Sequence, residues 1–284
     1  YRYILSGSSD FLLMQNISQT LAGRVAVTRL LPLSISELKE DANIDTNTLM
    51  WKGFYPAVWG DGKSPDNVYD SYVSTYLQRD VRQILNIKDL SLFQKFLTIV
   101  ASRVGNVFIA SSIASELGVD YKTIQSWMSI LETSYTAFLL QPFHRNIGKR
   151  LTKTPKIYFY DIGLVCHLLG IENEQHIKNH PLRGAIFENM VVCEMLKRRY
   201  NKGLKSNLYF YRDQSAEVDV IQEEAGSIKA YEIKSAERFN QEFTKSLSYV
   251  QKLLGDEISS SYIIYSGEEE MKFKNFSLIN YHNL

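Results

Sequence analysis

Two short stretches of the chain, residues 216–223 and 228–234, combine apolar and charged residues in runs of strand length. Residues 224–227 separate them and read E-A-G-S, a composition typical of a turn. Two such runs on either side of a short turn predict a β-hairpin. Counting outward from that turn, we expect Asp219 to lie directly opposite Glu232.

Charged side chains share one face of this predicted hairpin. Strand alternation places four of them on the same side of the ribbon: Glu217, Asp219, Glu232 and Lys234. Two adjacent carboxylates repel each other unless a positive charge lies between them, and a divalent cation commonly supplies it. A lysine two residues beyond the second acid is able to hold an attacking water or to neutralise a phosphate oxygen. The alternative is an ordinary hairpin with a solvated charged face.

Helical periodicity dominates the middle of the chain. The pattern predicts helices at 92–104, 111–117 and 121–133, then strands at 135–142 and 156–160. Asp120 precedes the third helix as an N-cap, and Asp161 opens a further helix as a cap rather than as a catalyst. Two helices joined by a glycine turn and followed by a strand pair are typical of a winged helix.

Basic side chains concentrate in the loop between the two strands of this unit. Residues 144–156 contain no acid and hold six basic-capable side chains: His144, Arg145, Lys149, Arg150, Lys153 and Lys156. Such a loop favours the backbone phosphates of DNA. The helix at 121–133 adds Lys122 and Gln125, which are able to reach phosphates or base edges. The alternatives are a solvated loop and a helical unit that docks a protein.

Composition limits the classes of protein to which the chain can belong. It has 284 residues, of which 45% are hydrophobic, and a net charge of +1. This length and apolar content support two or three packed domains and exclude a disordered chain. The balanced net charge is uninformative about a nucleic-acid partner. Cys166 and Cys193 lie in apolar helical patterns, so we expect buried thiols in a reducing cytoplasm. No apolar run approaches the length of a membrane span, and we expect no membrane partner.

The hairpin, together with a helix that precedes it, resembles the core of the PD-(D/E)XK nucleases, which have a restriction-endonuclease-like fold. The resemblance implies that Asp219 and Glu232 bind Mg²⁺, with the carbonyl of Ile233 as a third ligand. It also implies catalytic roles for Lys234 and for Glu188, which stands in the sequence F-E-N on the preceding helix. The element order of helix, three strands, helix and strand agrees with this fold. A valine replaces the motif's proline before the first acid.

The start of the chain contains G-S-S, L-A-G-R and P-L-S-I-S-E in close succession. This order resembles the end of an AAA-type P-loop ATPase module. The resemblance implies that Ser8 lies where such modules sense the γ-phosphate, and that Arg24 stands where they carry an arginine finger. A salt bridge that stabilises the next strand is the alternative for Arg24. The phosphate-binding sequence G-x-x-x-x-G-K-[ST] does not occur, so we expect ATP binding by a longer parent protein and not by this fragment.

These predictions divide the chain into four parts within a mixed α/β fold class. The parts are an ATPase-module remnant at 1–47, a helical linker at 48–88, a winged helix at 89–161 and a nuclease-like domain at 162–284. The whole resembles AAA-type ATPases that end in a domain of unknown function, which implies a cytoplasmic protein that acts on DNA and is able to self-associate through the ATPase module. One hypothesis is a Mg²⁺-dependent DNA endonuclease. The other is a non-catalytic module that binds DNA or protein for an ATPase switch.

Overall fold

The computed structural model describes residues 28–38, 44–60, 62–76, 90–144, 153–224 and 226–284. Within them lie ten α-helices and two β-sheets, which confirms the mixed α/β class. Five of the predicted functional residues lie outside the described residues: Ser8, Arg24, Arg145, Lys149 and Arg150. No described helix is long and apolar enough to cross a membrane. The four-part division of the chain stays a prediction.

The helices precede and surround the larger sheet. Six come before the first strand: α1 (Thr46–Lys52), α2 (Pro56–Trp59), α3 (Pro65–Tyr76), α4 (Leu90–Ser102), α5 (Ala110–Leu117) and α6 (Tyr121–Thr133). Four come later: α7 (Ile162–Leu168), α8 (Glu174–Lys178), α9 (Arg183–Tyr200) and α10 (Lys245–Leu254). The bounds of α4, α5 and α6 confirm the three helices predicted for the middle of the chain. Asp120 caps α6 as predicted, because its carboxylate accepts a hydrogen bond from the Lys122 backbone N–H at 2.7 Å.

The strands form two sheets of different size. The smaller sheet pairs β1 (Ala137–Leu140) with β2 (Lys156–Phe159) in antiparallel fashion. The larger sheet contains β3 (Leu208–Arg212), β4 (Glu217–Glu224), β5 (Ser227–Lys234), β6 (Ile258–Tyr265), β7 (Met271–Lys272) and β8 (Ser277–Asn280). Its order is β3-β4-β5-β6-β8-β7, with β5, β6 and β8 parallel. An isolated bridge between Pro142 and Phe210 joins the two sheets.

Two strands at the end of the chain were absent from the predicted element order. The structure places β8 beside β6 and β7 at the edge, whereas the sequence indicated a single final strand. Both residues of β7 are exposed, and Leu278 is the one buried residue of β8. Such short strands contain too few residues to establish an alternating pattern. They are held by strand pairing, β8 with β6 and β7 with β8, rather than by their own propensity.

One buried carboxylate connects the first helices to α7. Asp161 caps α7 by accepting a hydrogen bond from the Leu164 backbone N–H at 3.1 Å, as predicted. It also accepts from the Phe54 N–H at 2.7 Å and from the Tyr69 hydroxyl at 2.6 Å. A Cβ at Gly163 would overlap that hydroxyl, so this position requires glycine. Burial raises the pKa of Asp161, and its three donors offset that cost.

We expect Asp161→Ala to lower the free energy of unfolding by about 3 kcal/mol or more, because each buried donor left without a partner costs about 1–3 kcal/mol. Asp120→Ala is the matched control, since it removes an exposed N-cap and should cost about 1 kcal/mol. Urea unfolding of both variants at pH 7 measures the difference. Equal losses of stability in the two variants would contradict the conclusion that Asp161 connects the first helices to α7.

Candidate functional site

The candidate site lies where β4 and β5 separate. The two strands pair in the predicted register, and their last backbone pair is Val220 opposite Tyr231. The next acid, Asp219, uses its side chain instead, because its Oδ2 accepts a hydrogen bond from the Ile233 backbone N–H at 2.8 Å. The Asp219 side chain thereby accepts a hydrogen bond from a backbone N–H of β5. This hydrogen bond fixes the carboxylate beside β5.

The hairpin brings two carboxylates and a lysine together as the alternation predicted. The Lys234 Nζ lies 2.6 Å from Glu232 Oε1 and 3.8 Å from Asp219 Oδ2. Asp219 and Glu232 are buried, whereas the Lys234 side chain is about one-third exposed. These contacts place all three residues on one face of the hairpin. Their assignment as metal ligands and catalytic lysine stays a prediction.

Glu188 reaches the same cluster from α9. This helix carries a run of buried residues that packs its middle against β5 and β2, so the carboxylate is directed inward. Glu188 Oε1 accepts a hydrogen bond from the Tyr158 hydroxyl at 2.5 Å and lies 3.1 Å from the Lys156 Nζ. The structure therefore brings the predicted Glu188 to Asp219 and Glu232, although it is distant from them in sequence.

The sequence prediction was wrong about the environment of Lys156. We expected it in the basic loop, available to phosphates, but it is only 2% exposed. Its Nζ lies 2.6 Å from Glu217 Oε1, 3.1 Å from Glu188 Oε1 and 4.0 Å from Asp219 Oδ1. The physical reason is that β2 begins at Lys156 and turns its first side chain into the carboxylates. One signal was present: Lys156 and Tyr158 alternate with apolar residues, which places both on one face of β2.

Solvent reaches this cluster along one edge. The Glu217 and Lys234 side chains are each about one-third exposed, and Arg212 lies beside them with its Nε 3.2 Å from Glu217 Oε2. The other members are mostly buried. A ligand therefore has access from the side of Glu217 and Lys234, and meets the buried carboxylates behind them.

Burial and mutual repulsion change how the acids of this cluster ionise. Burial raises the pKa of Glu188 and of Glu232 well above the usual range of a glutamate, and the negative charge of Asp219 raises both further. Burial lowers the pKa of Lys234, but the charges of Asp219 and Glu232 outweigh this effect and raise it overall. Glu188 and Glu232 therefore keep their protons to a higher pH than an ordinary glutamate does, and Lys234 holds its proton tightly.

A divalent cation fits this donor set. Glu232 Oε2 is buried and has no hydrogen-bond partner among the described residues. Such an atom is costly to bury unless a cation, a proton or a hydrogen-bond donor binds it. The described residues contain no group of three or more His, Cys, Asp or Glu side chains arranged to hold a metal. Mg²⁺ does not require such a cage, because it commonly uses one or two carboxylates and completes its shell with waters and substrate phosphates. Asp219 and Glu232 would be those two carboxylates, and this assignment stays a prediction.

The predicted DNA-contact residues within the described part of the chain lie on the surface. Lys122 and Gln125 are exposed on α6, and Lys153 is exposed just before β2. Gln125 and Lys153 border one shallow groove together with Tyr121, which is itself 46% exposed. The structure thus brings two of the predicted contacts to the same groove. Their role in binding DNA stays a prediction.

Comparison with protein families divides the chain into three matched segments. Residues 1–39 match an AAA domain, residues 43–175 match a domain of unknown function (DUF8612), and residues 183–284 match another (DUF4143). The candidate carboxylates all lie in the last of these segments. The matches to the AAA domain and to DUF4143 indicate an ATPase-like protein.

Curated relatives match most of the chain. The uncharacterized protein Rv2008c of Mycobacterium tuberculosis is 29% identical over 273 residues, covering 94% of this chain and 59% of the relative. An uncharacterized protein of Haemophilus influenzae is 22% identical, covering 79% of this chain and 57% of the relative. The uncharacterized protein MJ1544 of Methanocaldococcus jannaschii is 23% identical, covering 78% and 52%. The chain thus spans a little over half the length of these relatives. No solved structure matches it.

In metal-free protein we expect Asp219→Asn to lower the pKa of both Glu188 and Glu232, because the Asp219 charge is a cause of each upward shift. Carbon-detected NMR titration of labelled glutamate carboxyls in EDTA measures this. The folded state holds these protons more tightly than the unfolded state, so the free energy of unfolding falls as pH rises from the ordinary glutamate pKa through the raised values. That fall should be smaller in the variant.

Glu242→Gln, at an exposed position, is the control, and unchanged pKa values in Asp219→Asn would contradict the coupling.

Proposed function

We propose that this chain is the part of an ATPase-like protein that hydrolyses DNA phosphodiesters with the help of Mg²⁺. The observation that carries the proposal is the buried Oε2 of Glu232, which has no partner among the described residues and stands beside Asp219. A buried carboxylate oxygen in this state favours a cation as its partner. The resemblance of the hairpin to the PD-(D/E)XK motif supports the same conclusion.

In this proposal each residue of the hairpin has a separate task. Asp219 and Glu232 would hold the ion, and the Ile233 carbonyl would be the third protein ligand. When bound, the ion lowers the pKa of a coordinated water and offsets charge on the phosphate. Lys234 lies within hydrogen-bond distance of Glu232 and is partly exposed, so it donates to the attacking water or to a phosphate oxygen. Glu188 adds a further acid at the buried side, where Tyr158 and Lys156 orient it.

DNA is the proposed substrate because of the charges that lead toward the site. Lys153 lies three residues before Lys156, so the chain runs directly from the exposed groove into the carboxylate cluster. We propose that DNA phosphates contact the following residues: Lys122, Gln125, Arg145, Lys149, Arg150 and Lys153. Such contacts position the DNA backbone without specifying its sequence. The element order of α4, α5, α6 and the β1–β2 pair supports a winged helix in this role.

ATP is proposed as a ligand of the whole protein rather than of this chain. The match of residues 1–39 to an AAA domain supports it. Ser8 and Arg24 are the proposed nucleotide-sensing residues in that segment. Self-association through the ATPase module is proposed on the same basis.

A non-catalytic module that binds DNA or protein is the second candidate. One observation favours it: Lys156 and Lys234 already face the carboxylates and offset part of their charge without a metal. Under this alternative the cluster is a structural ion-pair network. Metal binding distinguishes the two candidates.

We expect the wild-type chain to bind Mn²⁺ and Mg²⁺ in isothermal titration calorimetry, and expect Asp219→Asn and Glu232→Gln to weaken that binding at least tenfold. Each variant removes one charged ligand while retaining its shape. Glu242→Gln, which changes an exposed acid outside the cluster, is the matched control and should bind as the wild type does. Absence of binding by the wild type would reject the metal-dependent function and leave the non-catalytic module.

Lys234→Met should leave ion binding intact and reduce cleavage of duplex, single-stranded or branched DNA by about 100-fold or more, since it removes a donor aimed at the reacting groups. Cleavage is measured with labelled DNA in Mn²⁺, with folding checked by circular dichroism. Cleavage that continues at the wild-type rate in this variant would remove Lys234 from the mechanism.

Replacing Lys122 and Lys153 together by glutamine should weaken duplex binding at all sequences and reduce the log–log salt slope by about 2, because each lost phosphate contact contributes about 0.9. Fluorescence anisotropy at several salt concentrations measures the slope. Lys252→Gln, an exposed lysine on α10, is the control. An unchanged slope in the double variant would indicate that the groove beside α6 docks a protein instead.

A further inference from the structure

Lys156 belongs to a different sheet from the hairpin that carries most of the carboxylate cluster. Asp219, Glu232 and Lys234 belong to the β4–β5 hairpin, whereas Lys156 begins β2 in the smaller sheet. Its Nζ has carboxylate oxygens of Glu188, Glu217 and Asp219 within 4.0 Å. The ammonium is thus surrounded by acids from two elements of the neighbouring part of the chain. Acidic oxygens commonly surround a bound cation in this way, and here the cation is the ammonium of a lysine side chain.

The two oxygens of Asp219 face two separate cation positions. Oδ1 is 4.0 Å from the Lys156 Nζ, while Oδ2 is 3.8 Å from the Lys234 Nζ and accepts the Ile233 N–H. A carboxylate shared between two positive charges is the arrangement found in two-metal sites, where one acid bridges both ions. Asp219 has this bridging position. On its Oδ1 side the positive charge is the buried ammonium.

The environment of Lys156 differs from that of an ordinary surface ion pair. The side chain is 2% exposed, and oxygens of three acidic side chains lie within 4.0 Å of its Nζ. Removing this lysine would leave several acids without compensation in a buried site. Lys156 also lies over the Phe210 ring at 5.6 Å, which adds a cation–π contact. These contacts hold the ammonium in place among the acids.

We propose that Lys156 is a built-in cation that takes the place of a second metal ion on the Oδ1 side of Asp219. The inference rests on the proposed metal site at Asp219 and Glu232 and deepens it, because it limits the wild-type site to one ion. The part of the chain that carries β2 then completes the site, and Lys156 acts as a positioning residue for Glu188 and Asp219. A metal ion and this ammonium exclude each other at the same position.

The test counts ions bound per chain in four proteins: wild type, Lys156→Met, Lys156→Arg and Lys252→Met. Mn²⁺ is the probe, counted by calorimetry and by electron paramagnetic resonance of free Mn²⁺. Lys156→Met removes the ammonium and keeps the length of the side chain, so the acids of Glu188, Glu217 and Asp219 become available. We expect one ion for the wild type and two for Lys156→Met. Lys156→Arg retains a cation, and Lys252→Met changes an exposed lysine, so both should bind one ion.

The counts separate this inference from the proposed function. One ion in the wild type and still one in a folded Lys156→Met overturns the inference and leaves the proposed function intact. No ion in the wild type but one in Lys156→Met rejects the proposed function while supporting the inference. No ion in either protein rejects both.

A second measurement, of thermal stability with and without Mn²⁺, tests the inference if Lys156→Met folds poorly. Uncompensated buried acids should make this variant unstable in EDTA, and Mn²⁺ should raise its melting temperature toward that of the wild type. The wild type should show a smaller increase at the same Mn²⁺ concentration. A variant that no Mn²⁺ concentration restores overturns the inference, because a metal would then be unable to replace the ammonium.

Discussion

The arrangement of the site depends on one constraint: carboxylates buried together need positive charge within a few ångströms. Glu188, Asp219 and Glu232 converge from α9, β4 and β5, and each is largely removed from water. Burying an ion costs several kcal/mol unless a partner compensates it, and breaking a buried pair costs about 3–5 kcal/mol. Lys156 and Lys234 provide that compensation from opposite sides of Asp219. The positions of the strands around the cluster therefore follow from its charge as well as from apolar packing.

This constraint also explains how the smaller sheet is held against the larger one. The isolated bridge between Pro142 and Phe210 joins their backbones, and the Phe143 N–H donates to the Phe210 carbonyl at 2.6 Å. Lys156 adds a charged contact that is far stronger when buried than in water. Moving β2 away would expose that ammonium and leave Glu188 without two of its partners. The carboxylate cluster and the strand that follows the basic loop thus form one electrostatic unit.

Features that depend on neighbouring residues could be predicted from the sequence pattern. Contacts between distant residues could not, except for Glu188, which the family resemblance placed with the hairpin acids. The β4–β5 register follows from alternation and a short turn, so Asp219 and Glu232 were placed correctly. The cap at Asp161 was predicted from its local pattern, but its bonds to Phe54 and Tyr69 involve residues far away in the chain. Lys156 was misplaced for the same reason, since its partners follow it by 32 to 63 residues. The alternation of residues 156–159 indicated which face of β2 Lys156 lies on, but only the tertiary fold shows that this face meets the carboxylates.

The described end of the AAA-matched segment, residues 28–38, contacts the helix that carries Glu188. The buried Lys197 of α9 donates to the Leu33 carbonyl at 2.7 Å, and Glu194 Oε2 accepts from the Ile35 N–H at 3.0 Å. Burial lowers the pKa of Lys197, so its charge depends on the contacts around it. Displacing Leu33 and Ile35 would leave a buried ammonium and a buried carboxylate without these partners, which is costly. These two contacts therefore hold residues 33–35 against α9, the same helix that carries Glu188 into the carboxylate cluster.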